Sequence, residues 1–180
     1  GGIEPDFEES FSFYGPFCLE TLSLEIQDTL EKKLDTTLYP SYTYGRIYRT
    51  GAQLKHHLDR RASEYTLSIN LEDCDNTLWP ICVQLADGTV IEEKLSPGDA
   101  IVYSGRDQLH WRPGKFKGSE SVQAFIQYVD TNGDSTDLKW DGRPLMGMPF
   151  DRSDPRIDHN FDRRLDIDEC LKKIKINIQK

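Results

Sequence analysis

A chain of 180 residues has room for one domain with a sizeable core, and a second domain would be cramped. Its 22 basic and 31 acidic side chains give a formal charge of −9, which argues against non-specific binding to nucleic acid or to an anionic membrane and serves solubility. A hydrophobic share of 37 % marks a folded globule, and no apolar run approaches the length that spans a bilayer.

The opening Gly1-Gly2 shows no signal-peptide pattern and reads as a processed end, which leaves a removed targeting segment open; the cytoplasm is the expected compartment. Cys18, Cys74, Cys82 and Cys170 are scattered without a Cys-x-x-Cys pair, which predicts reduced core thiols and argues against a zinc ribbon or a disulfide framework. Residues 1–16 form an acidic lead-in (Glu4, Asp6, Glu8, Glu9) followed by an aromatic strand or arm through Phe11, Phe13 and Tyr14. From Phe17 to Leu34 the stripe Leu19, Leu22, Ile26, Leu30 and Leu34 has helical spacing, and Lys32 and Lys33 suit the negative end of the helix dipole. This helix is expected to pack its stripe on the outside of a sheet.

After Tyr39-Pro40 the texture changes to short β-rich runs broken by turn residues. The runs are Tyr42 to Arg49, Leu54 to Asp59, Tyr65 to Leu71, Leu78 to Leu85, Thr89 to Leu95, Ala100 to Tyr103, the segment around His110, and Val122 to Val129. In the third run Tyr65, Leu67, Ile69 and Leu71 share one face. Ala86-Asp87-Gly88 and Pro97-Gly98-Asp99 read as turns. Such strands predict an antiparallel sandwich or barrel over about 42–130, with 131–180 an irregular tail on or near it. Ile167, Leu171 and Ile174 suggest a short closing helix. Asp130-x-Asn132-x-Asp134 lacks the glycine and glutamate of a calcium-binding loop.

His57 and Asp59 are two residues apart, so on a strand both side chains point to one face, while His56 points to the other. His110 follows 53 residues later, after a turn and an apolar strand, and can supply a third ligand from a neighbouring strand. Two imidazoles and a carboxylate on one side of a metal form the facial triad of non-haem Fe(II) sites. The plainer alternative is a His57–Asp59 hydrogen bond within a sheet. Arg61 shares the inward alternation and could hold an anionic substrate, with a salt bridge to Glu64 or another acid as the plainer reading. His159 reads as a surface residue. Trp79 and Trp111 read as packing residues, and Trp140 as a groove wall or a loop anchor.

Tyr48-Arg49-Thr50-Gly51, His57-Leu58-Asp59, Pro97-Gly98-Asp99, His110-Trp111-Arg112-Pro113 and Val122 to Tyr128 occur in the order seen in a known family. Over roughly residues 44 to 130 the chain resembles the 2-oxoglutarate- and Fe(II)-dependent oxygenases, above all the prolyl 4-hydroxylase-like branch with its small microbial and viral relatives. The resemblance implies a mainly β, double-stranded β-helix (jelly-roll) fold with a supporting N-terminal helix and a short C-terminal helix. It implies His57, Asp59 and His110 as iron ligands, with 2-oxoglutarate and dioxygen as co-substrates. The implied reaction is hydroxylation of an unactivated C–H bond, with succinate and carbon dioxide as co-products; Asp59, in the position that related halogenases vacate, favours hydroxylation.

The sequence departs from that branch at the far end of 2-oxoglutarate. Where the branch has a lysine for the C5 carboxylate, this chain has Glu120 or Ser121, and an acid there would repel the ligand. The candidates to replace it are Tyr48, Arg112, Ser121 and Gln123, with Lys115 and Lys117 behind them. The implied substrate is a small molecule or a peptide, such as a prolyl residue, a free amino acid or another metabolite. Two other readings stay open: a non-catalytic cupin-like metal-binding module, and a metal-dependent enzyme of the same fold that does not use 2-oxoglutarate.

Overall fold

The computed structural model describes residues 9–147. The expected acidic lead-in before residue 9, the C-terminal helix and His159 lie outside these residues. Two antiparallel sheets face each other. The larger has the order β1-β2-β9-β4-β7, formed by β1 (Ser10–Tyr14), β2 (Leu38–Arg49), β9 (Glu120–Asp130), β4 (Tyr65–Asp73) and β7 (Ala100–Tyr103). The smaller has the order β3-β8-β5-β6, formed by β3 (Leu54–His57), β8 (His110–Arg112), β5 (Ile81–Gln84) and β6 (Val90–Glu93).

Helix α1 (Phe17–Leu34) covers the outer face of the larger sheet. Its buried Leu19 and Leu30, with Leu22, Ile26 and Leu34 beside them, pack on Leu67, Ile69, Ala124, Ile126 and Tyr128. Each fully buried leucine contributes roughly 1.5–3 kcal/mol, so the stripe anchors the helix. The Tyr128 hydroxyl, on the same face, donates to the Ser23 carbonyl at 2.7 Å. The helix ends at Asp35, whose N–H still bonds to the Glu31 carbonyl and whose left-handed φ of 52° turns the chain so that the Thr36 N–H reaches the same carbonyl at 3.3 Å.

The apolar face of β4 therefore lies under the helix, and its other face looks inward. That inner face is buried yet polar. It carries Thr66, Ser68 and Asn70 from β4, Ser121, Gln123 and Gln127 from β9, and Arg46 and Tyr48 from β2. Sheet interiors normally bury apolar side chains, and buried polar groups need partners or a ligand. The smaller sheet answers with Leu54, Ile81 and Val83, but also with His110 and Arg112.

Three local expectations are corrected. Tyr39-Pro40 does not break the chain before β2 but lies within it, because a register shift between Pro40 and Thr43 absorbs the missing proline N–H. Leu71 leaves the apolar face and is exposed, because the β4–β9 register shifts between Asn70 and Glu72. Cys18 and Cys74 are exposed thiols, and Cys82 alone of the described cysteines is buried. Among the described residues no helix is long and apolar enough to cross a membrane.

After β9 the chain runs into a 3₁₀ segment (Thr136–Gly142) that folds back on β2. Leu138 packs with Tyr42, Ala62 and Val129, and its carbonyl accepts from Ser41 at 2.9 Å. Asp130 and Asp134, far from forming a calcium loop, are engaged by Thr36 and by Arg106.

Candidate metal centre

His57 ends β3 and is paired in register with His110 at the start of β8, which sets the two imidazoles side by side with ring centroids 4.2 Å apart. Asp59 lies beyond the strand, contrary to the expectation that β3 carries it. Its position comes instead from its own N–H, which donates to the Gly105 carbonyl at 2.8 Å. The Asp59 carboxylate then turns back, with Oδ1 3.6 Å from His57 Nε2 and 3.7 Å from His110 Nε2. One ligand atom from each of the three residues lies within 4.8 Å of the other two.

At 3.6 Å the His57–Asp59 contact is longer than a direct hydrogen bond. Each imidazole has its Nδ1 on a backbone carbonyl, His57 on Lys55 at 2.8 Å and His110 on Gln108 at 2.9 Å. A proton on each Nδ1 satisfies those carbonyls and leaves both Nε2 lone pairs facing a carboxylate oxygen. Two lone pairs and an anion converging on one point make a set of donors that could hold a cation. Burial, with His110 alongside, pushes the His57 pKa down to about 4, so the imidazole is neutral, the form that binds metal. Burial opposes the charge on Asp59, but His110 and His57 outweigh it and hold the acid well below the usual carboxylate range. His110 is buried, whereas the side chains of His57 and Asp59 are each 22 % exposed, so the site opens on their side.

The support around Asp59 is close. Thr66 Oγ1 lies 3.4 Å from Asp59 Oδ2 and donates to Gln127 Oε1 at 2.6 Å. A Cβ on Gly105 would overlap both Thr66 Oγ1 and Asp59 Oδ2, so only glycine leaves the carboxylate its place. The Tyr103 ring packs against His110 with centroids 4.8 Å apart.

Further along β8, Arg112 points the same way as His110 into the polar interior. The guanidinium is buried, donates to the Trp79 carbonyl and to Gln123 Oε1 (3.0 Å), and lies over the Trp79 ring. Gln123 Nε2 donates in turn to Asn70 Oδ1 at 2.9 Å and Ser121 Oγ at 2.8 Å. Tyr48, opposite Ser121 in the β2–β9 register, packs edge-on against Trp79. The structure thus gathers Tyr48, Arg112, Ser121 and Gln123 into one buried cluster. Within it the Tyr48 hydroxyl and Arg112 Nε have no hydrogen-bond partner. Burial lowers the Arg112 pKa against the influence of Tyr48, Tyr103 and Asp73, and a guanidinium stays charged throughout.

Other candidates fall away from the site. Glu120 is on the outer side, paired with Arg49 at 3.1 Å, so no acid enters the Arg112 cluster from that position. Lys115 and Lys117 are exposed. Arg61 is exposed and held by Asp137 and the Asp134 carbonyl, while Glu64 pairs with Arg106. His56 faces outward and stacks on Trp111 with centroids 4.1 Å apart. Trp79 is core, its Nε1 bound to the Pro113 carbonyl at 2.9 Å. Gly105 and Asp73, which the sequence left unmarked, belong to the neighbourhood. The signal for Gly105 was slight: one glycine shortly before the second histidine.

No protein-family model matches the sequence, and no curated protein matches it. Solved structures do match. A 2OG-Fe(II) oxygenase family oxidoreductase from Burkholderia pseudomallei is 14 % identical, with a TM-score of 0.58 over 69 % of this chain and 70 % of that one. A Pseudomonas putida prolyl-4-hydroxylase is 14 % identical, with a TM-score of 0.51 over 66 % and 68 %. The non-heme alpha-ketoglutarate-dependent epimerase SnoN from nogalamycin biosynthesis is 14 % identical, with a TM-score of 0.58 over 78 % and 70 %. The likeness is one of fold, and the fold is the jelly-roll of the 2-oxoglutarate/Fe(II) oxygenases.

Proposed function

We propose that the protein is a 2-oxoglutarate- and Fe(II)-dependent dioxygenase that hydroxylates an unactivated C–H bond. The observation that carries this reading is the joint placement of two sites on one strand. His110, with His57 and Asp59, offers three ligand atoms to one cation. Two residues on, Arg112 offers a buried cation on the same face. Two residues of strand span about 7 Å, roughly the length of a five-carbon diacid.

His57, Asp59 and His110 would hold Fe(II), leaving positions for the co-substrates. Arg112 would take the C5 carboxylate of 2-oxoglutarate in place of the lysine of the prolyl hydroxylase branch, with Tyr48 and Ser121 donating hydroxyls and Gln123 holding the guanidinium in place. With both bound, oxidative decarboxylation to succinate and carbon dioxide would supply the oxidising power for hydroxylation by dioxygen. The exposed side of His57 and Asp59 would admit the substrate, a small molecule or a peptide and, given the net charge, not nucleic acid. Free thiols at Cys18, Cys74 and Cys82 fit a reducing compartment such as the cytoplasm.

One observation favours a second reading, a metal-dependent enzyme of this fold that does not use the keto acid. Asp73 is buried, near enough to favour the Arg112 charge, and its Oδ1 has no hydrogen-bond partner. A carboxylate there competes with an incoming one. Anaerobic Fe(II) titration with and without 2-oxoglutarate separates the readings. The proposed function requires a weak visible charge-transfer band that needs both components and is lost in His57→Ala and Asp59→Ala. Iron binding without the band, and no succinate in air, would favour the second reading.

A further inference from the structure

The metal carboxylate belongs to an irregular stretch between β3 and β4, where no strand partner fixes it. The next residue, Arg60, is fixed tightly. Its side chain is 5 % exposed and makes two bonds to the fully buried Asp141, Nη1 to Oδ1 at 2.5 Å and Nη2 to Oδ2 at 2.8 Å. The guanidinium lies 3.9 Å above the centre of the Tyr42 ring, and Tyr14 donates its hydroxyl to Asp141 Oδ2 at 2.5 Å. Asp141 comes from the 3₁₀ segment after the barrel, 82 residues beyond Asp59 in sequence. Trp140 and Asp141 reach their positions with φ of 54° and 59°, a left-handed conformation that costs non-glycine residues energy and persists only where surrounding contacts enforce it. The same segment is tied down by Arg143, which pairs with the buried Glu20 of α1 at 2.6 Å.

From this arrangement we infer that Arg60 and Asp141 are positioning residues for the metal ligand Asp59: the segment after the barrel clamps the residue beside the ligand and so sets metal affinity from a distance. Neither side chain is among the three that converge on the metal point. The buried pair holds because each charge has the other, and removing one leaves a buried ion uncompensated, free to drag the adjoining backbone toward water. Partners that orient a ligand from outside its coordination sphere typically change metal affinity 10- to 100-fold when altered.

The inference rests on the metal-centre reading, and its test has one arm that does not. Co(II) serves as the probe, in the full chain without 2-oxoglutarate or turnover. Asp141→Asn is expected to weaken Co(II) binding 10- to 100-fold, and Asp141→Glu to recover part of the loss. Asp137→Asn, which opens only the exposed pair with Arg61, is expected to leave it unchanged. The second arm follows hydrogen exchange at the Asp59 amide, the one bonded to the Gly105 carbonyl. Asp141→Asn is expected to speed it at least tenfold while the β4 amides keep their protection. Unchanged Co(II) affinity and Asp59 exchange in folded Asp141→Asn would overturn the inference, as would a uniform rise in exchange across β4 and β9. Should Asp141→Asn fail to fold, Tyr14→Phe keeps the ion pair and removes one bond to Asp141. A severalfold weaker affinity with faster Asp59 exchange is then expected, and no change in either sinks the idea. A wild-type protein that binds no Co(II) would refute the metal centre, and the exchange arm would still decide the clamp.

Discussion

Gly105 lies directly against the Asp59 carboxylate, accepting that residue's N–H with its carbonyl while leaving no room for a Cβ between Asp59 Oδ2 and Thr66 Oγ1. The backbone at Gly105 does not need the left-handed region, so the constraint is purely steric. Gly105→Ala is therefore expected to fold with a loss of about 1–3 kcal/mol, the usual cost of forcing a methyl group into a packed site. The methyl group meets the Thr66 and Asp59 side chains alike, and the displacement of Asp59 should weaken Fe(II) binding by about tenfold or more. Thermal denaturation and a metal titration on the same preparation check both. A variant that folds and binds iron as tightly as the wild type would show that Asp59 tolerates the methyl group.

The missing lysine was the least legible feature of the sequence, and the proposed function gives its place to Arg112. Substituting Arg112→Gln keeps hydrogen-bonding capacity toward Gln123 and the Trp79 carbonyl but removes the charge. A buried charge-assisted contact is worth about 3 kcal/mol, so the affinity for 2-oxoglutarate should fall on the order of a hundredfold. The affinity for Fe(II) alone should stay within about twofold, because none of the three ligands contacts this guanidinium. Titrating the charge-transfer band against 2-oxoglutarate reads the first effect, and a keto-acid-free metal titration reads the second. Loss of both together would place Arg112 in the support of the metal and not of the co-substrate.

How much of this site could be read in advance follows from the range of the forces involved. His57 and His110 were legible because strand alternation is local and their segments had distinct flanks. Asp59 was identified for a reason that does not hold: it lies past the end of β3, and a long-range bond to Gly105 aims it. Helix α1 was legible in full, since its stripe is a property of spacing alone. The polar inner face of the larger sheet was not. Thr66, Ser68 and Asn70 alternate with apolar residues as in any half-exposed strand, and only the second sheet makes that face interior. Glu120 looked like an obstacle because a one-residue difference in register decides whether Glu120 or Ser121 faces inward. Arg60 and Asp141 are 81 positions apart and unremarkable by composition, so nothing local announces their pairing.

Under the proposed function the Tyr48 hydroxyl makes opposite demands in the free and the co-substrate-bound site. Without a co-substrate it is buried and has no partner, which costs about 1–3 kcal/mol. Tyr48→Phe keeps the ring against Trp79 and removes that burden, so the metal-free protein should be unchanged or more stable by about 1 kcal/mol. The affinity for 2-oxoglutarate should move the other way, weakening by about five- to tenfold for one lost hydrogen bond. Chemical denaturation and band titration on one variant give both signs. A variant that is destabilised would mean that the hydroxyl is satisfied in the free protein.

The Arg60–Asp141 clamp also carries a pH signature, through Tyr42 beneath it. Burial is the main cause that pushes the Tyr42 phenol up from 10 to about 12, partly offset by the Arg60 guanidinium over its ring and reinforced by Asp59. In the unfolded chain the phenol titrates near its ordinary value of about 10. The folded state thus binds the proton more tightly, and the associated stability is complete below pH 10. It is lost as the pH rises from about 10 to about 12, to a total of about 3 kcal/mol. Tyr42→Phe cannot ionise, so its stability should fall less steeply over that window, after a small constant loss from the hydroxyl bond to Ser63. Lysines and exposed tyrosines titrate in both proteins, so the difference between the two denaturation curves isolates Tyr42. Parallel curves from about pH 9 to 12 would mean that the phenol ionises as easily in the fold as outside it, and that the space under Arg60 is wetter than its packing implies.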